Sequence, residues 1–176
     1  MKEIELKVLE IDPVAIEETL IGAGFKKLGS SKILEKMFDS KNKVLKKNKK
    51  LLRLRSIFDK VELTFKERVE KHPFLKLREE KQVVVDSFAV TEEILENLGF
   101  FCMAVREKKR TSFTREKVRV DVDEYPGAKP YLEIEGSEGD VLETLKILNY
   151  PLEKTSKLSS TKILKLYNLN TKELFF

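Results

Sequence analysis

The sequence predicts an α+β protein built on an eight-stranded antiparallel β-barrel, closed on itself, with helices packed outside it. Three observations lead there. The order of elements is strand, helix, several strands, helix, several strands, with no repeated βαβ unit that would build a parallel sheet. Eight runs have strand character, and eight strands can close around side chains or one small ligand. In most of these runs charged residues alternate with branched apolar ones, so that along a strand the charges fall on one face and the apolar residues on the other.

The first strand is carried by Glu3-Ile4-Glu5-Leu6-Lys7. Asp12 then offers an N-cap with Pro13 at the first helical position, and Ile16, Leu20 and Ile21 form an apolar stripe that stops at Gly22 and Gly24. Strand-like runs follow at about 32–38, 51–57, 60–68 and 75–85. The stretch Lys41 to Lys50, with six lysines, reads as a solvated loop. A second helix runs from Thr91 and ends at Gly99-Phe100, the same Gly-Phe pair that closes the first at Gly24-Phe25. Strands are expected again at about 101–113, 116–124 and 130–135. Leu142, Leu145 and Ile147 mark a third helix, and Thr161 to Tyr167 a short fourth. The chain of 176 residues is read as a single domain, 1–176, large enough to bury a core without staples.

Charged residues make up 37% of the chain, above the roughly 25% of an average globular protein, yet they are nearly balanced at 35 basic and 30 acidic. The surplus of +5 and the pI near 9.1 favour anionic ligands. No interleaving of aromatic and basic residues of the base-stacking kind stands out, so nucleic acid is not the expected partner. Cys102 is the only cysteine and His72 the only histidine, which excludes an internal disulfide and a Cys/His zinc set. No long apolar run occurs, and the chain starts directly on a strand pattern. A soluble, cytoplasmic protein without a membrane or targeting segment is therefore expected.

The chemistry lies in how the charges are sorted. Glu3, Glu5 and Lys7 share one face of the first strand, and Glu133 and Glu135 share one face of Tyr131-Leu132-Glu133-Ile134-Glu135. Carboxylates brought together in a sheet repel one another, and hard oxygen donors of this kind suit Mg²⁺ or Mn²⁺. Arg53 and Arg55 flank Leu54. Glu62, Thr64 and Lys66 alternate with Val61, Leu63 and Phe65, and Arg119, Asp121 and Asp123 with Val118, Val120 and Val122. Arg78 shares a face with Glu80, and Lys108 with Arg110. Any one such strand reads most simply as wet on one side. Together they gather acids on the first, seventh and eighth strands and cations on the third to sixth. Metal-held acids opposite guanidinium and ammonium groups suit a polyphosphate, since Arg binds phosphate oxygens bidentately and Lys acts as a point charge.

This ordered set resembles the CYTH superfamily, the triphosphate tunnel metalloenzymes, which includes class IV adenylyl cyclases, thiamine triphosphatases and inorganic triphosphatases. The resemblance spans nearly the whole chain: Glu3-x-Glu5-x-Lys7, Arg53-x-Arg55, Lys66, Arg78-Glu79-Glu80, Lys108-x-Arg110, Asp123 and Glu133-x-Glu135. It implies a tunnel open at both ends that holds a triphosphate with one or two divalent ions. By that resemblance Glu3, Glu5, Glu80, Asp123, Glu133 and Glu135 hold Mg²⁺ or Mn²⁺. Lys7, Arg53, Arg55, Lys66, Arg78, Lys108, Arg110 and Lys157 hold phosphate. Lys7 is the catalytic candidate, either tuning water through a depressed pKa or acting as a plain clamp.

Three departures from the family pattern stand out. Glu35-Lys36-Met37-Phe38-Asp39 carries Met37 where the family often has tyrosine, Gln82 stands where a second glutamate often follows Glu80, and Ser159-Ser160-Thr161-Lys162-Ile163-Leu164 lacks an aromatic and a carboxylate. The implied function is a metal-dependent triphosphate hydrolase acting on inorganic tripolyphosphate or on a nucleoside or thiamine triphosphate. The alternatives are a class IV adenylyl cyclase making cyclic AMP and pyrophosphate, and a non-catalytic polyphosphate-binding module. The resemblance leaves a homodimer open.

Overall fold

The structure, a computed structural model, describes residues 2–73 and 75–176, without the side chains of Lys2, Glu3, Glu70 and Lys71. Eight strands form the barrel: β1 (Lys2–Leu9), β2 (Lys26–Ser40), β3 (Lys50–Ile57), β4 (Lys60–Lys71), β5 (Lys76–Val85), β6 (Phe100–Arg115), β7 (Val118–Glu124) and β8 (Tyr131–Glu135). Neighbours run β6-β2-β3-β4-β5-β1-β8-β7, and β7 returns to β6, so the sheet closes. Every pairing among these eight is antiparallel. The class predicted from the sequence is thus the class observed.

Five helices lie outside the barrel: α1 (Pro13–Gly22), α2 (Val44–Lys47), α3 (Phe88–Asn97), α4 (Glu138–Ile147) and α5 (Ser160–Leu166). Asp12 caps α1 by accepting from the backbone N–H of Val14 and Ala15, and Ser137 and Asp140 form a capping box at α4. α3 begins three residues before Thr91 because Ser87 caps it, accepting from Val90 N–H. Two short strands complete the sheet. β9 (Thr155–Ser156) adds to β1, and β10 (Glu173–Leu174) adds in parallel to β6.

Two elements differ from the sequence reading. β2 starts at Lys26 rather than near 32, since residues 26–31 lack apolar alternation but pair with the end of β6 through a bulge between Lys27 and Gly29. Gly29 takes φ +135° there, a conformation open to glycine. The lysine-rich stretch expected to be a plain loop contains the single turn of α2. Asp39, buried at the end of β2, fixes that turn by accepting from the backbone N–H of Leu45 and Lys46, both at 2.9 Å.

The apolar core sits outside the barrel wall. Leu6 and Val8 of β1, Val120 and Val122 of β7 and Leu132 and Ile134 of β8 face outward onto Ile16 and Leu20 of α1 and Val141 and Leu145 of α4. A second cluster joins Leu52 and Leu54 of β3 to Leu95 of α3. A third packs Tyr125 and Tyr131 against Ile163 and Leu164 of α5. Where a helix covers the wall, as over β1, β3 and β8, the strand turns its branched residues to that helix and its charges to the interior, as the period of two requires. Ile134 is fully buried and Val83 is 57% exposed. The Ile134→Ala variant is expected to lose about 2–5 kcal/mol of unfolding free energy and Val83→Ala less than about 0.5 kcal/mol, measured by urea denaturation.

Candidate active site

The barrel encloses a cavity of about 570 Å³ whose described lining includes ten Lys or Arg and seven Asp or Glu side chains. Eleven of the fourteen predicted site residues line it: Glu5 and Lys7 of β1, Arg53 and Arg55 of β3, Lys66 of β4, Arg78 and Glu80 of β5, Lys108 and Arg110 of β6, and Glu133 and Glu135 of β8. Three others stand apart. Glu3 belongs to β1, but its side chain lies outside those described. Asp123 is fully buried beside the cavity, behind Lys108 and Arg110. Lys157 lies on the surface and donates to the backbone carbonyls of His72, at 3.0 Å, and Pro73.

Closure of the barrel explains how so many ions stay buried. The acidic strand β7 abuts the basic strand β6, and the acidic strand β1 abuts β5, so opposite rows meet at two seams. At the first seam Arg110 donates to Asp121 and twice to Asp123 at 2.6 Å, and to Glu133 at 2.9 Å. Lys108 reaches Asp123 at 2.7 Å, and Ser112 and Arg119 hold Asp121. At the second seam Lys76 pairs with Glu5. Lys7 lies between Glu5 and Glu133, the latter at 2.8 Å. On the far wall Arg55 donates to Glu62 at 2.5 Å and Lys66 pairs with Glu80 at 2.6 Å.

The network sets the protonation of its members. Burial alone would push the Glu5 and Glu133 carboxyls up, but Lys7, with Lys76 for Glu5 and Arg110 for Glu133, holds both well below the usual carboxylate range. Burial opposes the charge on Lys7 as well, yet Glu133 and Glu5 outweigh it and its pKa rises. Of the two roles left open for Lys7, a raised pKa agrees with the clamp, and the lysine whose pKa is depressed is Lys76. Burial first, then Lys7, brings its pKa down to about 8 against the single carboxylate of Glu5. Arg55 is lowered to about 10 by burial and by Arg53 and Arg110.

Glu135 is the exception among the acids. It pairs in register with Glu5 on one side and Arg119 on the other, and among the described residues it has neither a hydrogen bond nor an ion pair. Burial raises its pKa; Lys66 acts against that, but Glu80, Glu133 and Glu5 add to it, and the net shift is upward. A half-buried carboxyl crowded by other carboxylates, with no cation clasped to it, is the electrostatic condition that a hard divalent ion relieves. The neighbouring acids offer oxygen donors only, so the chemistry of the set fits Mg²⁺ or Mn²⁺. Among the described residues no three acids, histidines or cysteines are gathered into a metal-binding group; Lys7 stands between Glu5 and Glu133, and Lys76 pairs with Glu5.

Sequence reasoning missed Lys76, Glu35, Lys117 and Asp140 as cavity residues. Lys76 precedes Arg78 and Glu80 at the same period of two, so the alternation contained it. Glu35 lies between Leu34 and Lys36, where the pattern is broken by the charge on Lys36. Lys117 and Asp140 come from the β6–β7 turn and α4, outside any strand pattern.

Relatives bear out the architecture. The CYTH domain family matches residues 1–167. A protein of Methanocaldococcus jannaschii named "Putative adenylate cyclase MJ0240" is 26% identical over 163 residues, covering 92% of each chain. The structure described as a putative adenylate cyclase from Vibrio parahaemolyticus superposes with a TM-score of 0.80 at 16% identity, over 93% of this chain and 97% of that one. A structure from Hippeastrum, described as "Putative adenylyl cyclase HpAC1 from Hippeastrum reveals a dominant triphophatase activity", gives 0.70 at 19% identity, over 98% and 100%. With the family match extending through the barrel that carries these charges, the chain belongs to the CYTH domain family.

Proposed function

We propose that this chain is a cytoplasmic, divalent-metal-dependent triphosphate hydrolase acting on inorganic tripolyphosphate or on a nucleoside or thiamine triphosphate. The observation that carries the reading is the cavity inside the barrel, where among the described residues ten basic side chains outnumber seven acidic ones. A chain of phosphates brings several charges within a few ångströms and needs a lining of that sign and density. The Hippeastrum protein, on the same fold, is described as having a dominant triphosphatase activity, which agrees with the reading.

Each residue's part follows from its present partner. Arg53, Arg55, Lys66, Arg78, Lys108 and Arg110 bind phosphate oxygens. Arg53 keeps a donor free for this, because its Nε is buried without a hydrogen bond. Lys7, held charged by two carboxylates, acts as a clamp rather than a proton carrier. Asp123 spends both oxygens on Lys108 and Arg110 and so fixes their direction. Lys157, facing backbone carbonyls at the surface, takes no part in this reading. Glu5, Glu80, Glu133 and Glu135, with Glu3 from the same strand as Glu5, would hold Mg²⁺ or Mn²⁺. The ion supplies a Lewis acid and a counter-charge for the phosphoryl oxygens.

A second reading, adenylyl cyclase, is favoured by the names of the Methanocaldococcus and Vibrio relatives. Incubation with ATP and Mn²⁺ separates the two: cyclic AMP with pyrophosphate marks a cyclase, and orthophosphate from tripolyphosphate marks a hydrolase. Tight tripolyphosphate binding without turnover under any divalent ion would mark a binding module.

Phosphate release from tripolyphosphate with Mg²⁺ or Mn²⁺ is expected to fall about tenfold to a hundredfold in Arg55→Ala, from the loss of a charge-assisted hydrogen bond, and in Glu5→Ala as well. Retained activity in both variants places the reaction outside the barrel. Affinity is also expected to depend on pH. Lys76 is charged below about 8 and loses its charge as pH rises through that value, while Lys7 keeps its own. A bound polyanion favours the charged form, so binding takes up a proton and weakens from about pH 8 upward. Calorimetric titrations in buffers of different ionisation enthalpy measure that uptake, and Lys76→Met is expected to abolish it.

A further inference from the structure

Glu35 is a carboxylate that the charge network leaves half used. It lines the cavity from β2 at 2% exposure, on the far side from the acids of β1 and β8. Its register neighbours are both arginines, Arg55 on β3 and Arg106 on β6. A buried acid between two guanidinium groups is ordinarily gripped by one of them, as Asp123 is gripped by Arg110. Here each arginine is drawn elsewhere. Arg55 donates to Glu62, and Arg106 gives both Nε, at 2.8 Å, and Nη2 to the backbone carbonyl of Thr171. Tyr125 donates its hydroxyl to Glu35 Oε1 at 2.9 Å and fixes the carboxylate plane. Oε2 accepts no hydrogen bond among the described residues, and the one ion pair of Glu35 is with Arg53, at a loose 3.9 Å. Burial would favour the neutral acid, but Lys108, Arg53 and Arg106 overcome it and keep the carboxylate charged.

An ionised acceptor with one open oxygen, set among the cations that bind phosphate, cannot itself bind phosphate. It can hold a molecule that presents a hydrogen to it. We infer that Glu35 is a catalytic residue that orients the attacking water through Oε2, with Tyr125 as its positioning residue. The inference rests on the hydrolase reading above. In the step it serves, the water oxygen bonds to the terminal phosphorus as the bridging P–O bond breaks. One water proton leaves with orthophosphate and the other with the diphosphate, so Glu35 gains no net proton. Its work is alignment, which is most of what phosphoryl transfer asks of a protein.

The test separates binding from turnover. Dissociation constants for tripolyphosphate are measured by calorimetry in EDTA, and kcat by phosphate release with Mg²⁺. Glu35→Gln is expected to bind tripolyphosphate as tightly as the wild type or more tightly, having lost a negative charge, while kcat falls about 100-fold. Tyr125→Phe is expected to keep the same affinity and lose about tenfold in kcat. A Glu35→Gln protein that binds more tightly with kcat within threefold of the wild type overturns the inference, because Glu35 is then only a counter-charge. If Glu35→Gln does not fold, an unchanged kcat in Tyr125→Phe overturns it instead. A wild-type protein that binds tripolyphosphate but never releases phosphate overturns the hydrolase reading itself, a failure visible before any variant is made.

Discussion

A barrel can keep charge inside only if each ion that leaves water meets others of opposite sign. Two unit charges 4 Å apart gain about 4 kcal/mol at an effective dielectric constant of 20, against a desolvation penalty of several kcal/mol per ion. An ion with one partner therefore roughly breaks even, and an ion with several gains. Arg110 of the basic strand β6 has three carboxylates on the acidic strands β7 and β8, and Lys7 has two, Glu5 on its own strand and Glu133 on β8. The order of strands around the barrel is thus also the arrangement that stabilises its interior.

Two consequences follow for the rest of the molecule. The hydrophobic effect cannot act across the barrel, so it acts outside. Leu6, Val8, Leu132 and Ile134 are packed from without by α1 and α4. The helices are therefore the other half of the core, pressed onto a wall whose inner face is polar. The second consequence concerns ligands. Most cations in the cavity already hold a carboxylate, so an incoming polyanion exchanges partners instead of filling vacant sites. Arg53, which pairs with Glu35 yet keeps a buried Nε without a hydrogen bond, has a donor ready for such an exchange.

The period of two made the fold readable, because the same alternation that assigns Glu5 and Lys7 inward assigns Leu6 and Val8 outward. Eleven of the fourteen residues that the resemblance implied line the cavity, most of them on strands whose alternation already marked them. Pairing was not readable. That Lys7 stands between two carboxylates while Lys76 meets one depends on register across β1, β5 and β8, which no single strand encodes. Lys157 rested on a match to a family position, which carried no information about where the segment after the 3₁₀ turn at Leu152–Lys154 would lead it. Glu35 was hidden by Lys36, an outward charge that pairs with Glu92 of α3 and spoils the apolar face.

The family match stops at residue 167, yet the fold does not. Beyond it the carbonyl of Lys172 accepts from Val105 N–H at 2.7 Å, β10 lies beside β6, Leu174 joins the cluster around Tyr125, and Thr171 takes the guanidinium of Arg106. An expression boundary drawn where sequence similarity ends would strip a stave from the sheet and release a buried arginine next to Glu35, so a truncated preparation would misreport the chemistry of the intact chain.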